Sequence, residues 1–511
     1  MKISRTFYRS LILLTGCAAA ALGVGASSAR ADRDPHHGDP HHRGRLIVSS
    51  STYDSNTGAI AKLKVGTILS STATATAQAV AGKNYVTTWN NASVDPSYGV
   101  TSEISLLEVD PASGAVRSKI KVPPGQVVTS FSSKSELSLH LTGKADPVLT
   151  FVGYAGAGVG ALDASNSDAV PGQDPTNPVT FAFGAKYAFP RTVVSMDARG
   201  RFSYTPTVDY GGDNGRGALL GSNGLYYAVG NSNNGNATTF GSGNGTNPDV
   251  TETTGVEVIK PINAANVRVK VPAGNSAEID PLLQYVVNGK ADKPGKDNNY
   301  RGLAEYGGAL YFTKGSGSNG MDTLYTVPSL PTVASAPSTA ITVVPGFPTD
   351  AAKTTGGNFT PFSVFFANPT TLYVADEGTG NTTDASAHSG IEKWSLVNGT
   401  WVLDYVLQNK LFVTDTNLNG RDGQWPDVTT VGLRNLTGAV NRDGTVTLWA
   451  TTATNSAAGD PGADPNRVVR ITDVLSAQTA TTAVQAEAFH TVIGPTYGTV
   501  YRGVAFVEPA Q

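Results

Sequence analysis

The chain has 511 residues, 37 Lys and Arg against 40 Asp and Glu, and a net charge of −3, with no basic block beyond its N-terminal segment, so a nucleic-acid partner is not expected. Its 57 glycines, 29 prolines and 15% charged residues fit a turn-rich all-β protein rather than a helical one. The one cysteine, Cys17, lies in an N-terminal apolar run, which rules out a disulfide-stapled fold.

Lys2, Arg5 and Arg9 precede the apolar run from Leu11 to Ala26, and Ala29-Arg30-Ala31 offers small residues for cleavage. This resembles a bacterial Sec signal. Residues 1–31 are therefore expected to be a signal peptide, the mature chain to start at Asp32, and the protein to be secreted or periplasmic. Leu14-Thr15-Gly16-Cys17 also looks like a lipoprotein box, which would anchor the chain to a membrane through Cys17. The short apolar stretch between Arg9 and Cys17, and the good cleavage site after it, favour soluble export. No later stretch approaches the ~18 apolar residues of a transmembrane helix.

Residues 32–45 hold four of the seven histidines (His36, His37, His41, His42) among prolines and charges, and read as a disordered tail that binds metal at most incidentally. Arg45–Ser51 and Ala59–Val65 are predicted strands without nearby partners. Asn84–Asn91 is a third, and Glu103–Asp110 turns through Pro111 and Gly114 into Val116–Val122 as a hairpin. Further strands follow at Ser135–Leu141 and Val148–Tyr154, with a hairpin of Thr192–Ala198 and Arg201–Pro206.

From there the chain repeats. DNGRGALLGSNGLYYAVG (213–230) is echoed by NNYRGLAEYGGALYFTKG (298–315), the step from Arg216 to Leu225 equalling that from Arg301 to Leu310. Abridged copies are FSVFFANPTTLYVADEG (362–378), LTGAVNRDGTVTLWATT (436–452) and YRGVAFV (501–507). In the first four an apolar strand, a Gly- or Asn-rich turn and a second strand carrying Leu-aromatic recur: Leu225-Tyr226, Leu310-Tyr311, Leu372-Tyr373, Leu448-Trp449. Sheet units repeating every roughly 60–85 residues mark a β-propeller, in which neighbouring blades complete each other's core. GVEVIKP, DTLYTVP, GIEKWSL and NRVVRITDV supply the third strands.

The final YRGVAFV lacks followers, and pairing it with the N-terminal strands closes the ring and removes an open edge. A single propeller domain over 46–511 is expected, with seven blades: the closing one, then 68–122, 126–209, 213–290, 299–345, 360–408 and 432–492. The weak pattern of 68–122 leaves six or eight open.

Strands alternate in direction, so the long loops between second and third strands (231–254, 377–389, 453–466) share a face with the starts of the first strands. Arg216, Arg301 and Arg502 open first strands, and Arg434 lies just before one, so four guanidiniums are expected near the channel mouth on that upper face. Such forks suit an anionic ligand. The structural alternative pairs each with a carboxylate such as Asp213, Asp297 or Glu305.

In DTNLNGRDGQWPD (415–427), Asp415, Asn417 and Asn419 alternate before Gly420, the front half of a calcium loop. Pro426 stands where the bidentate Glu belongs, leaving Asp422 or Asp427 to substitute. The same residues make a plain Asx-rich turn without metal. His388 sits in a polar upper-face loop, as a ligand, a base or an ordinary surface histidine. The neighbouring Asp376 and Glu377 point oppositely and do not form a catalytic pair. No nucleophile elbow, metalloprotease helix or Walker loop occurs.

The runs TLYVADEGTG, GIEKWSLVNGTWVLDYVL, LRNLTGAVNRDGTVTLWATT and YRGVAFVEP, with GVTSEISLLEVDP and VTSFSSKSELSLHLTG earlier, resemble a largely uncharacterised family of exported bacterial β-propeller proteins. The resemblance covers most of the mature chain and implies fold and export without catalytic residues. A looser similarity to NHL-type and lactonase-type propellers lacks the Glu/Asn/Asp metal pattern at strand ends.

Three functions fit. The first is a binding propeller holding an anionic small molecule, a sugar or an exported partner protein on its upper face. The second is a calcium-assisted hydrolase or lyase acting on a phosphorylated, lactone or uronate-like substrate. The third is an envelope or adhesion scaffold. Binding ranks first because no acid/base pair can be named.

Overall fold

A computed structural model of the chain describes residues 44–52, 68–71, 76–78, 100–130, 136–161, 164, 189–210, 214–231, 255–280, 286–287, 290–291, 300–315, 320–349, 359–380, 388–420, 423–457, 462–481, 484 and 487–509. Arg43–Gln511 forms one compact unit. The signal segment, residues 32–43 of the His-rich tail, the strands expected at Ala59–Val65 and Asn84–Asn91, and residues 232–254, 381–387 and 458–461 of the three long loops lie outside the described residues.

The described residues form an all-β propeller of six blades, with three further two-stranded ribbons and a 3-10 turn at Ala336–Ser338. Blade 1 is ordered Thr499–Val507, Arg45–Thr52, Ser105–Val109, Val116–Lys121. The predicted closure is present, with Leu46 opposite Phe506 and Thr52 opposite Thr499. The third and fourth strands of this blade are the hairpin assigned by sequence to a separate second blade: Leu46 pairs with Val109 and Ser50 with Ser105. Two expected blades thus become one, and the described residues hold six rather than seven.

Blade 2 comprises Val127–Ser130 and His140–Thr142, both paired to Val148–Ala155, then Arg191–Met196 and Phe202–Thr207. Its innermost strand is split: Glu136 lies in the gap, and Leu137 takes the left-handed φ of 59° that the detour requires. Blades 3 to 6 start at Gly215–Leu220, Leu303–Tyr306, Pro361–Asn368 and Val428–Val440. Their third strands fall where the sequence puts them, at Val256–Ile259, Thr323–Val327, Gly390–Val397 and Val468–Val474.

Alternation within the second strands explains why no blade is stable alone. In blade 5 Leu372 and Val374 join the cluster shared with blade 4, while Tyr373 and Ala375 join the one shared with blade 6. In blade 6 Leu448 faces back to blade 5, and Trp449 faces forward to Leu46 and Val504 of blade 1. Six such clusters fill the six interfaces, each drawing residues from both flanking sheets.

Blade 3 departs from the repeat by one residue. Its turn spans Gly221 to Leu225, so Tyr226 and Tyr227, rather than Leu225 and Tyr226, occupy the places of Leu310 and Tyr311: Tyr226 faces blade 2 and Tyr227 faces blade 4. Equal sequence spacing there does not mean equal structural register.

Candidate functional site

Each of the four arginines sits where its first strand bulges. Leu433 and Leu436 oppose Thr452 and Ala450, so Arg434 and Asn435 share one partner position. Gly215 and Gly217 oppose Gly230 and Val229, leaving Arg216 as the extra residue. Around Arg502 the register shifts between Ser50 and Val48. The Arg301 amide donates to the Thr313 carbonyl, and the Thr313 amide donates to Gly302. A bulge re-aims its side chain, here into the channel.

The glycine after three of these arginines is a packing requirement. A Cβ on Gly302 would meet the Phe362 carbonyl oxygen at 2.1 Å, and one on Gly503 the Leu137 carbonyl oxygen at 2.3 Å. On Gly217 it would meet Ser138 Cβ at 3.0 Å and His140 Nε2 at 3.1 Å. At Gly302 and Gly503 the first strands approach one another too closely for a side chain, and at Gly217 a methyl would fit only if its neighbours gave way by a few tenths of an ångström.

Three second strands place a hydroxyl opposite the bulge. Gly302 donates its amide to Thr313 Oγ1 (2.8 Å), which donates to the Phe362 carbonyl of the next blade (2.8 Å). The Asn435 amide donates to Thr451 Oγ1 (3.3 Å), which donates to Arg502 (3.0 Å). Gly503 donates to Ser49 Oγ (2.6 Å), which donates to Leu137 (3.0 Å). These three hydroxyls were not expected from the sequence. The signal was present, since each stands three positions after the strand's Leu: Leu310 to Thr313, Leu448 to Thr451, Leu46 to Ser49.

Above the neck the arginines are 2–5% exposed. Glu377 accepts from Arg301 at one oxygen and from Arg434 Nε (3.4 Å) at the other. Arg502 lies 4.0 Å from Glu136, whose carboxylate also accepts from Tyr154, Thr129 Oγ1 (2.9 Å) and the Ser130 amide (3.2 Å). Arg216 donates to the Tyr300 carbonyl at 3.0 Å.

Among the described residues the carboxylates that meet these arginines are Glu377 and Glu136. Glu305 accepts from the Ser222 amide (2.9 Å), while Asp213 and Asp297 lie outside the described residues. Burial holds the Arg434 guanidinium below its ordinary value, with Glu377 opposing that fall and nearby Arg301 and Arg502 adding to it. Burial also raises the Glu136 carboxyl, against the pull of Arg502.

Below the neck the channel widens into a funnel of about 900 Å³, lined by the first strands of all six blades and by residues 138–147. Its floor is a hydrogen-bonded chain whose protons can be assigned by chemistry. Asn435 must use Nδ2 to donate to the Arg502 carbonyl (2.7 Å), so its Oδ1 accepts from Ser138 Oγ (2.7 Å). Ser138 Oγ is then the acceptor for His140 Nε2 at 3.3 Å. Burial lowers the His140 imidazole to about 4, so it is neutral at pH 7. With its proton on Nε2, Nδ1 is an acceptor.

The remaining candidates are dispersed. Both carboxylate oxygens of Asp415 accept from Arg467, including Nε at 2.8 Å. Asn417 has a left-handed φ of 58° and accepts from Gln424 at 3.4 Å. Asn419 is exposed and pairs with Gln424 in the short ribbon of Leu418–Gly420 and Gly423–Trp425. Asp427 is exposed, and Asp422 lies outside the described residues. Asp415 is thus ion-paired, and among the described residues there is no group of three His, Cys, Asp or Glu side chains that could hold a metal ion.

His388 Nδ1 lies 2.5 Å from Glu392, whose other oxygen accepts from Trp394 Nε1 (2.7 Å). Asp376 accepts from Thr360 and from the Gly378 amide, whereas Glu377 serves the arginines, so these adjacent acids have separate tasks. No helix among the described residues is long and apolar enough to cross a membrane.

No family model matches this chain, and no curated protein does. Among solved structures it is similar to an S. cerevisiae assembly of Dbp5 bound to Nup159 and Gle1, at 8% identity over 88% of this chain and 84% of that one, with a TM-score of 0.25. It is also similar to a quinoprotein alcohol dehydrogenase-like protein from Bacteroides thetaiotaomicron, at 10% identity over 80% and 85% of the two chains, with a TM-score of 0.28. The N-terminal domain of Nup159 matches at 6% identity over 80% and 87%, with a TM-score of 0.28. At these scores the likenesses carry no functional argument, and the propeller assignment stands on this chain's own sheet order.

Proposed function

We propose that this chain is a binding propeller that takes a small ligand in the funnel below the neck, and that the arginine tier above closes the channel. The observation that carries this reading is the funnel itself: a recess of about 900 Å³ reached by all six blades, of the size and central placement at which small-molecule sites occur. Export by the leader 1–31, or anchoring through Cys17, remains part of the proposal, and N-terminal sequencing of the processed chain separates the two.

A second reading keeps the anion at the arginine tier. It is favoured by the crowding of Arg301, Arg434 and Arg502 around one another, which a bound phosphate or carboxylate would relieve. Thermal melting of the chain from Asp32 against sugars, sugar phosphates, uronates and lactones separates the readings. Ala304 lines the funnel. A ligand-induced rise lost in Ala304→Trp but kept in Arg216→Ala supports the funnel, and the reverse pattern supports the arginines.

A further inference from the structure

We infer that the funnel selects an uncharged, largely apolar molecule carrying a hydrogen-bond donor at the end that meets His140. The inference rests on the funnel reading and names the ligand class for that same site.

Charge is the first argument. Among the described lining residues, fixed charge is confined to Lys144, Glu305 and Glu508. Lys144 and Glu508 lie 3.5 Å apart with side chains 89% and 58% exposed, and Glu305 is held by the Ser222 amide. These are rim groups in water. The depth of the funnel is lined by Leu219, Leu303, Val364, Leu436 and Val504, whose side chains pack into the interblade clusters, together with the uncharged Ser363 and Thr437. A charged head pushed to this depth would lose its hydration without a counter-ion, and the guanidiniums lie beyond the neck.

The floor supplies the second argument. Asn435, Ser138 and His140 form a directed chain, with one Nδ2–H of Asn435 given to the Arg502 carbonyl and the Ser138 hydroxyl to Asn435 Oδ1, ending with His140 as a neutral ring protonated at Nε2. Among the described residues no group donates to Nδ1. A site built to receive a donor discriminates against analogues lacking one, because its acceptor is otherwise buried unpaired. A hydroxyl, phenol or N–H on an apolar body meets both conditions, and a carboxylate or phosphate meets neither.

Three probes sharing one ring system test this at pH 7: 2-naphthol, naphthalene and 2-naphthoate, each titrated into the full chain by calorimetry or ring fluorescence. The expected order is naphthol roughly 3- to 10-fold tighter than naphthalene, with naphthoate at least about 10-fold weaker than naphthol. His140→Phe should erase the advantage of naphthol while leaving naphthalene bound, and Ser138→Ala, which frees the imidazole tautomer, should reduce it. Naphthoate binding as tightly as naphthol, or an unchanged preference in a folded His140→Phe chain, overturns the ligand class while the funnel stands. Binding that survives Ala304→Trp, or no binding by any probe, overturns the funnel reading and this inference with it. The wild-type ranking needs no variant to fold.

Discussion

Thr451 Oγ1 receives the Asn435 amide and donates to the Arg502 carbonyl 3.0 Å away, so one hydroxyl joins two strands of blade 6 to the first strand of blade 1. It is 1% exposed, and replacing it with valine keeps the volume while stranding the buried Asn435 amide and leaving the Arg502 carbonyl with Asn435 Nδ2 alone. Thr451→Val should cost about 1–3 kcal/mol in urea unfolding. Thr313→Val should cost a similar amount, because it makes the same pair of bonds. An unfolding midpoint unchanged in both would show that the blade-to-blade bonds contribute nothing.

Glu377 neutralises Arg301 and Arg434 at once. Glu377→Gln leaves two buried guanidiniums facing an amide and should cost about 3–5 kcal/mol. Sulfate or phosphate at millimolar concentration should restore part of the melting temperature if the tier admits an anion. Loss without rescue would assign the tier a purely structural task.

Gly302→Ala drives a methyl onto the Phe362 carbonyl and should destabilise by about 1–3 kcal/mol. Ala added at exposed Gly125, where nothing lies within 4 Å, is the control. Equal midpoints for the two variants would mean that the neck can widen freely.

The pH dependence has a defined sign. Burial, the largest cause, pushes the Glu392 carboxyl from 4.5 up to about 7, so the folded chain holds a proton that the unfolded chain releases. Stability from this group is complete below about pH 4.5 and lost as pH rises through about 7. His140 works oppositely: lowered from 6.5 to about 4, it supports the fold above 6.5 and ceases to as pH falls towards 4. Melting wild type and Glu392→Gln from pH 5 to 8 isolates the first effect. The melting temperature of the variant should fall less with rising pH, and parallel curves would reject the assignment.

Blades 4 to 6 were legible because Leu372 to Asp376 and Leu448 to Thr452 alternate cleanly between two buried faces. Closure was legible too, since YRGVAFV and RLIVSSS each lacked a local partner. The blade count was not. Val109 pairs with Leu46 across a long intervening stretch, and periodicity reports which face a residue uses rather than which distant strand it joins. Arg216, Arg301, Arg434 and Arg502 were found from the repeat, but their shared carboxylate was not, because Glu377 belongs to a strand end in another blade. Glu136 and His140 flank an irregular detour through Leu137, where no pattern marks the inward side.

Pairing of Thr499–Val507 with Arg45–Thr52 sets a timetable for biosynthesis. The innermost strand of blade 1 is made after the strands of every other blade, so the ring cannot close until Thr499–Val507 has been synthesised. Before that pairing Arg45–Thr52 presents an open strand edge, the kind of margin through which chains associate.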